Sequence, residues 1–226
     1  MTATATVPDY VRATQISNEY LTPEAIELIE RARALAPKLA GRAFDAERNG
    51  IVPVESVREI AEAGLFKVLQ PKRYGGHEMD PRVFYRIQMA LAEGCMATAW
   101  IYGVIGVHNW QLPLFPEQAQ HDVWSKDPTT LIASTYMPVG KAQKVEGGYR
   151  LSGHWSWSSG VEHCEWIFLG GLLPRKDGSG ALEHCTFLLP KSDYKVVHNF
   201  DVLGLRATAS HDIVVDNAFV PEHRTQ

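Results

Sequence analysis

The chain has 226 residues, 45% hydrophobic and 21% charged, enough to bury one or two ordinary globular cores. Its 26 acidic residues outnumber 22 basic ones for a net charge of -4, and no Lys/Arg cluster stands out, so the electrostatic footprint of a nucleic-acid binder is missing. No apolar run approaches the roughly 20 residues of a membrane span, and the opening MTATATVPDYVRATQ lacks both a signal-peptide core and an Arg-rich transit pattern, so a cytoplasmic chain is expected.

The first half reads as helices. Thr22-Pro23-Glu24 is an N-cap followed by Pro at the first helical position and an acid in the first turn. Ile26, Leu28, Ile29, Ala32, Leu35 and Leu39 then recur near the 3.6-residue period, up to a stop at Asn49-Gly50. A second helix is expected over Pro53 to Ala63, with Gly64 as its stop, and a third after Asp80-Pro81, carrying Phe84, Ile87, Met89, Leu91 and Ala92. A fourth, Ala97 to Val107, is apolar nearly all round and so is expected to be buried on most sides. Pro116 to Trp124 closes a helical domain over residues 1–127.

From residue 128 to 226 the pattern changes to short strands: LIAST, YRLSG, WIFLGG, CTFLLP and DIVVDNAFV. Glu146-Gly147-Gly148 reads as a hairpin turn and Lys176-Asp177-Gly178-Ser179-Gly180 as a longer, mobile one. Strands without intervening helices predict an antiparallel barrel or sandwich, giving an α+β fold class. In WSWSSG, residues 155–160, strict alternation would turn Trp155, Trp157 and Ser159 to one face and Ser156 and Ser158 to the other. Three scattered cysteines, Cys95, Cys164 and Cys185, read as reduced, mostly buried thiols; neither they nor the nine histidines show ligand spacing, so no metal site is expected. GxGxxG and Walker motifs are also absent.

Four stretches, taken in order, resemble the acyl-CoA dehydrogenase superfamily: LQPKRYGGHEMD (69–80), LIASTYMPVG (131–140), LSGHWSWSSG (151–160) and VLGLRATASHDIVVDNAFVP (202–221). Within it GVHNWQLPLF (106–115), STYMPVG and WSWSSG are most similar to the oxygenase components of two-component flavin monooxygenases, the hydroxylases of phenolic seco-steroids in particular. The resemblance implies a C-terminal four-helix bundle beyond this chain and a homotetramer. It implies a separate NAD(P)H-flavin reductase that delivers reduced flavin, FMNH2 or FADH2. Dioxygen as co-substrate would form a C4a-hydroperoxyflavin that ortho-hydroxylates a bulky phenol.

Such chemistry needs a dry wall and a few hydrogen-bonding groups beside the ring. The resemblance places Trp157 against the flavin, with Ser158 or Ser159 at N5. Ser134 and Thr135 would lie near the pyrimidine edge or the reacting oxygen, and Arg206 near the phosphate or dimethylbenzene side. His108, as a neutral imidazole, suits the role of base toward a phenol, with Asn109 and Trp110 lining the substrate pocket. Two alternatives stand beside this: an FAD-dependent acyl-CoA dehydrogenase, or a flavin-binding fragment without catalysis.

Overall fold

The computed structural model describes residues 18–226 except 176 and 178; the opening segment and those two positions of the 176–180 turn lie outside the described residues. Helix α1 runs Pro23–Asn49, its start held by Thr22 Oγ1 accepting from the Ala25 amide (3.2 Å), its end by Gly50 at φ 70°. It turns Leu28, Ile29, Ala32, Leu35 and Leu39 inward, while Ile26 faces out. Then come α2 (Val54–Glu62) and α3 (Pro81–Ala92), the latter capped by the Asp80 carboxylate on the Arg82 amide. Helix α4 (Met96–Gly106) is buried on most of its surface, yet Met96 and Trp100 are exposed. The chain then turns directly into a one-turn helix α5 (His108–Gln111), and α6 (Glu117–Trp124) follows.

Six strands follow: β1 (Ile132–Val145), β2 (Gly148–Ser158), β3 (Trp166–Pro174), β4 (Leu182–Pro190), β5 (Lys195–Val197) and β6 (His211–Pro221). The three-residue β5 is additional to the five strands expected from the sequence. They form one sheet in the order β4-β3-β1-β2-β6-β5. The expectation of a wholly antiparallel sheet is corrected at one pairing: β1 and β3 run parallel, from Ile132 beside Trp166 to Thr135 beside Leu169. The reason is that β1 serves two neighbours. Its first part pairs with β3, the register breaks between Thr135 and Gly140, and its second part forms the hairpin with β2 around Gly147.

Trp155 fills that break. Its indole N–H lies 3.1 Å from the Met137 carbonyl and 2.8 Å from the Gly170 carbonyl, satisfying acceptors freed where β1 leaves β3. Glycine is required around it: a Cβ at Gly153 would fall 2.5 Å from the indole, and one at Gly140 2.8 Å. Beyond β6 the chain returns to β4, where Thr186 and Gln226 exchange both backbone hydrogen bonds (2.6 and 3.0 Å). The β4 edge of the sheet is thereby covered by the segment after β6.

One hydrophobic core runs through both halves, from Leu28, Ile87 and Tyr102 to Leu151, Trp155 and Phe187. A smaller cluster seats Phe115 and Trp124 against Ile132, Phe168 and Leu188. All three cysteines are buried free thiols, as expected. Among the described residues no helix is long and apolar enough to cross a membrane.

Candidate functional site

Strand β2 does not end as strict alternation predicts. Between Trp155 and Ser158 it carries one residue more than β6 opposite, a β-bulge, and Trp157 takes φ 66° to accommodate it. Trp157 therefore parts from Trp155: the first is fully buried, the second 69% exposed. Ser158 is turned into the interior, its Oγ without a hydrogen-bond partner. Ser159 is turned out, into a pocket of about 410 Å3 that it shares with Trp100, Trp157, Phe200, Thr208 and Ser210. That volume is within the usual range for small-molecule sites, about 300–1,000 Å3.

Backbone strain gathers here. Five non-glycine residues among those described have positive φ, and Trp157, Leu205 and Ala209 belong to this pocket or its rim. Left-handed backbone at such residues costs of order 1–3 kcal/mol and collects where a ligand is held. Gly160 completes the turn at φ 70°, its Cα so close to α4 that a Cβ would lie 2.8 Å from Ile105 Cδ1. Its amide donates to the Thr208 carbonyl (2.9 Å), tying the two sides of the pocket together.

The second wall is the segment from His198 to Thr208. At one end His198 Nε2 meets Glu162 Oε1 (2.5 Å) and the Asp212 amide donates to Asn199 Oδ1 (3.2 Å). At the other the Glu47 carboxylate accepts from the Arg206 and Ala207 amides (2.9 and 3.4 Å). Between these anchors Leu203 is fully exposed. Although no ligand spacing is visible in the sequence, the fold brings donor atoms of Glu162, His198 and His211 within 4.8 Å of one another. In this structure they act as a histidine–carboxylate fastening for the segment.

A separate cluster forms where α5 meets β1. His108 is buried, 1% exposed, with Nδ1 2.5 Å from the Ile132 carbonyl and its ring edge-on to Phe168. Burial pushes its pKa down to about 4, against a smaller upward pull from the carbonyl. The imidazole is thus neutral, and its Nδ1–H donation leaves the lone pair on Nε2. Tyr136 lies edge-on to it, and its hydroxyl bonds Gln111 Oε1. Burial of that hydroxyl pushes its pKa up to about 12, with Ser134 and Gln111 pulling the other way.

Several expected site residues are placed elsewhere. Asn109 is buried: its Nδ2 donates to the Phe66 carbonyl (2.7 Å), and it fixes α5 to the loop before α3. Its Oδ1 and Gln70 Oε1 are unpaired beside a cavity of about 20 Å3, room for about one water. Thr135 commits its hydroxyl to the Ser156 carbonyl (2.9 Å), bracing β1 against β2. Arg206 is exposed and pairs with Asp201 at 3.6 Å. Trp110, 52% exposed, stands on the outer face of α5. The strand-tip pocket is lined by Trp157 and Ser159 but not by His108, Ser134, Thr135, Asn109, Trp110 or Arg206. Trp100 had no signal in an almost uniformly apolar helix.

Residues 22–127 match the family model described as the N-terminal domain of acyl-CoA dehydrogenase. The chain is 43% identical over 196 residues to the flavin-dependent monooxygenase, oxygenase subunit HsaA, of Rhodococcus jostii (strain RHA1), a match covering 87% of this chain and 51% of that protein. The crystal structure of the HsaA monooxygenase from M. tuberculosis superposes with a TM-score of 0.85 at 40% identity, over 89% of this chain and 52% of that one. XiaF from Streptomyces sp., in complex with FADH2 and glycerol, gives a TM-score of 0.83 at 32% identity, over 90% and 51%. The chain thus spans about half the length of the relatives it matches.

Proposed function

Since this chain has the acyl-CoA dehydrogenase-like fold and stands beside flavin-dependent oxygenase subunits within it, we propose that it forms the flavin-facing part of an oxygenase component that hydroxylates a bulky phenol. The observation that carries the reading is the strand-tip pocket. An exposed indole on strained backbone stands next to a hydroxyl-lined recess, which suits a flat ring with one polar edge.

In this reading the helices between Pro23 and Trp124 supply one wall and the six-stranded sheet the flavin face. Trp157 covers the ring and excludes water, while Ser159, not the interior Ser158, holds the polar edge. Arg206, exposed at the end of the 198–208 segment, is the cation available to an anionic tail of the cofactor. Bound reduced flavin, FMNH2 or FADH2 from a separate NAD(P)H-flavin reductase, supplies the activation of dioxygen. His108 takes the phenolic proton on Nε2: burial keeps it neutral, and the Ile132 carbonyl selects the tautomer. Tyr136 lies beside it, with Ser134 and Gln111 as polar partners of its hydroxyl, and Trp110 serves as an apolar wall. The assembly is cytoplasmic and homotetrameric. No observation favours acyl-CoA desaturation.

The test is an anaerobic titration of the chain with reduced FMN, read by quenching of tryptophan fluorescence. Quenching in the wild type and its loss in Trp157→Ala are expected. Equal quenching in both would remove the pocket from consideration.

A further inference from the structure

The polar rim of the strand-tip pocket is one continuous hydrogen-bonded chain. Trp100 Nε1 donates to Ser159 Oγ (3.1 Å), Ser159 Oγ lies 2.7 Å from Ser210 Oγ, and Ser210 Oγ lies 2.7 Å from Thr208 Oγ1. Ser210 and Thr208 are buried, 6% and 2% exposed, so bulk water does not complete their bonding. The indole can only donate, whereas each hydroxyl has one proton and two lone pairs.

Those properties allow the chain two directions. If Thr208 donates to Ser210 and Ser210 to Ser159, then Ser159 Oγ already receives two donors and its own proton is free for the pocket. If Ser159 donates to Ser210 and Ser210 to Thr208, then Ser159 keeps a lone pair for the pocket instead. Both directions contain the same number of bonds within the chain, and passing between them requires only rotation of hydroxyl groups.

We propose that this chain is a reversible donor–acceptor relay, in which Trp100, Ser210 and Thr208 are positioning residues that let Ser159 present either a proton or a lone pair to one ligand atom. The ligand it fits is a heteroaromatic ring whose edge nitrogen carries a proton in one redox state and a bare lone pair in the other. The inference rests on the reading that flavin occupies this pocket, since N5 is an N–H in the reduced ring and an acceptor in the oxidised one.

The experiment is a pair of anaerobic titrations, with reduced and with oxidised FMN, on the wild-type chain, Ser210→Ala and Thr208→Val. With Ser210→Ala the Ser159 proton loses its partner only when Ser159 must accept. Affinity for reduced FMN is therefore expected to fall about tenfold, the consequence of one unsatisfied polar group, and that for oxidised FMN less than about threefold. A tenfold selective loss lowers the midpoint potential of the bound flavin by about 30 mV for this two-electron couple. Thr208→Val, which removes the far end of the chain, is expected to show the same selectivity more weakly. Equal weakening of both redox states, or none, in variants with wild-type urea transitions overturns the relay alone. Absence of binding by the wild type overturns the pocket assignment and the relay with it.

Discussion

Trp155 and Trp157 lie two positions apart on one strand, in opposite environments. Trp155 is fully enclosed, its N–H shared by two backbone carbonyls and its ring seated in a slot that glycines keep open. Trp157 is 69% exposed on left-handed backbone. The same side chain thus serves structure in the middle of β2 and is offered to a ligand at its tip, and the single inserted residue of the bulge separates the two roles. A similar division holds between the His108 cluster, enclosed and fastened, and the pocket rim, whose hydroxyls have bonding capacity to spare.

The sharpest way to break this comparison is to truncate the enclosed tryptophan. Trp155→Ala is expected to cost about 3–5 kcal/mol through the cavity and lost contacts, read from urea denaturation. A cost near that of an exposed site would show that the slot is not central to the sheet.

The next largest effect concerns His108. Its folded pKa, about 4, lies below the unfolded value of about 6.5, so between these the unfolded chain binds more protons and stability falls as pH drops from 6.5 toward 4. The loss attributable to this residue reaches about 3 kcal/mol. His163 and His211 are held low in the same direction by burial, so the quantity to measure is the difference in slope between the wild type and His108→Gln. Parallel slopes would mean that the imidazole is not enclosed as described.

The smallest effect is the most discriminating. Trp157→Gly relieves left-handed strain worth about 1–2 kcal/mol and loosens the unfolded chain by about 0.5–1 kcal/mol, so stability is expected to stay within about 1 kcal/mol of the wild type. In the same variant reduced-FMN binding is expected to be lost. A large destabilisation without any change in flavin binding would reverse the roles assigned to the two tryptophans.

Much of the fold was legible because it rests on local chemistry. Thr22-Pro23 and Asp80-Pro81 mark helix starts through caps that need no distant partner, and both caps are present. Pairing direction is a different kind of information. Nothing within residues 132–135 says that they lie parallel to 166–169, because the crossover is made by a strand and a short turn instead of a helix. Bulges are hidden for the same reason: Trp-Ser-Trp-Ser alternates perfectly on paper, and only the partner strand reveals the extra residue. Ser210 bonds both Thr208 and Ser159, and no periodicity connects Ser159 to the other two. Asn109, polar and next to His108, looked like a pocket residue; its burial against Phe66 depends on how α5 docks.

The bulge in β2 makes length more consequential than chemical character at this point of the chain. Removing either Ser156 or Trp157 would restore an unbroken two-residue rhythm as far as Ser159, with Ser158 still facing inward and Ser159 outward. Such a deletion leaves the ladder to β6 available and every hydrophobic partner of Trp155 in place, yet it takes away the left-handed bulge at the edge of the recess. Amino-acid replacements here are graded perturbations, whereas a change of one in the residue count acts as an all-or-none edit.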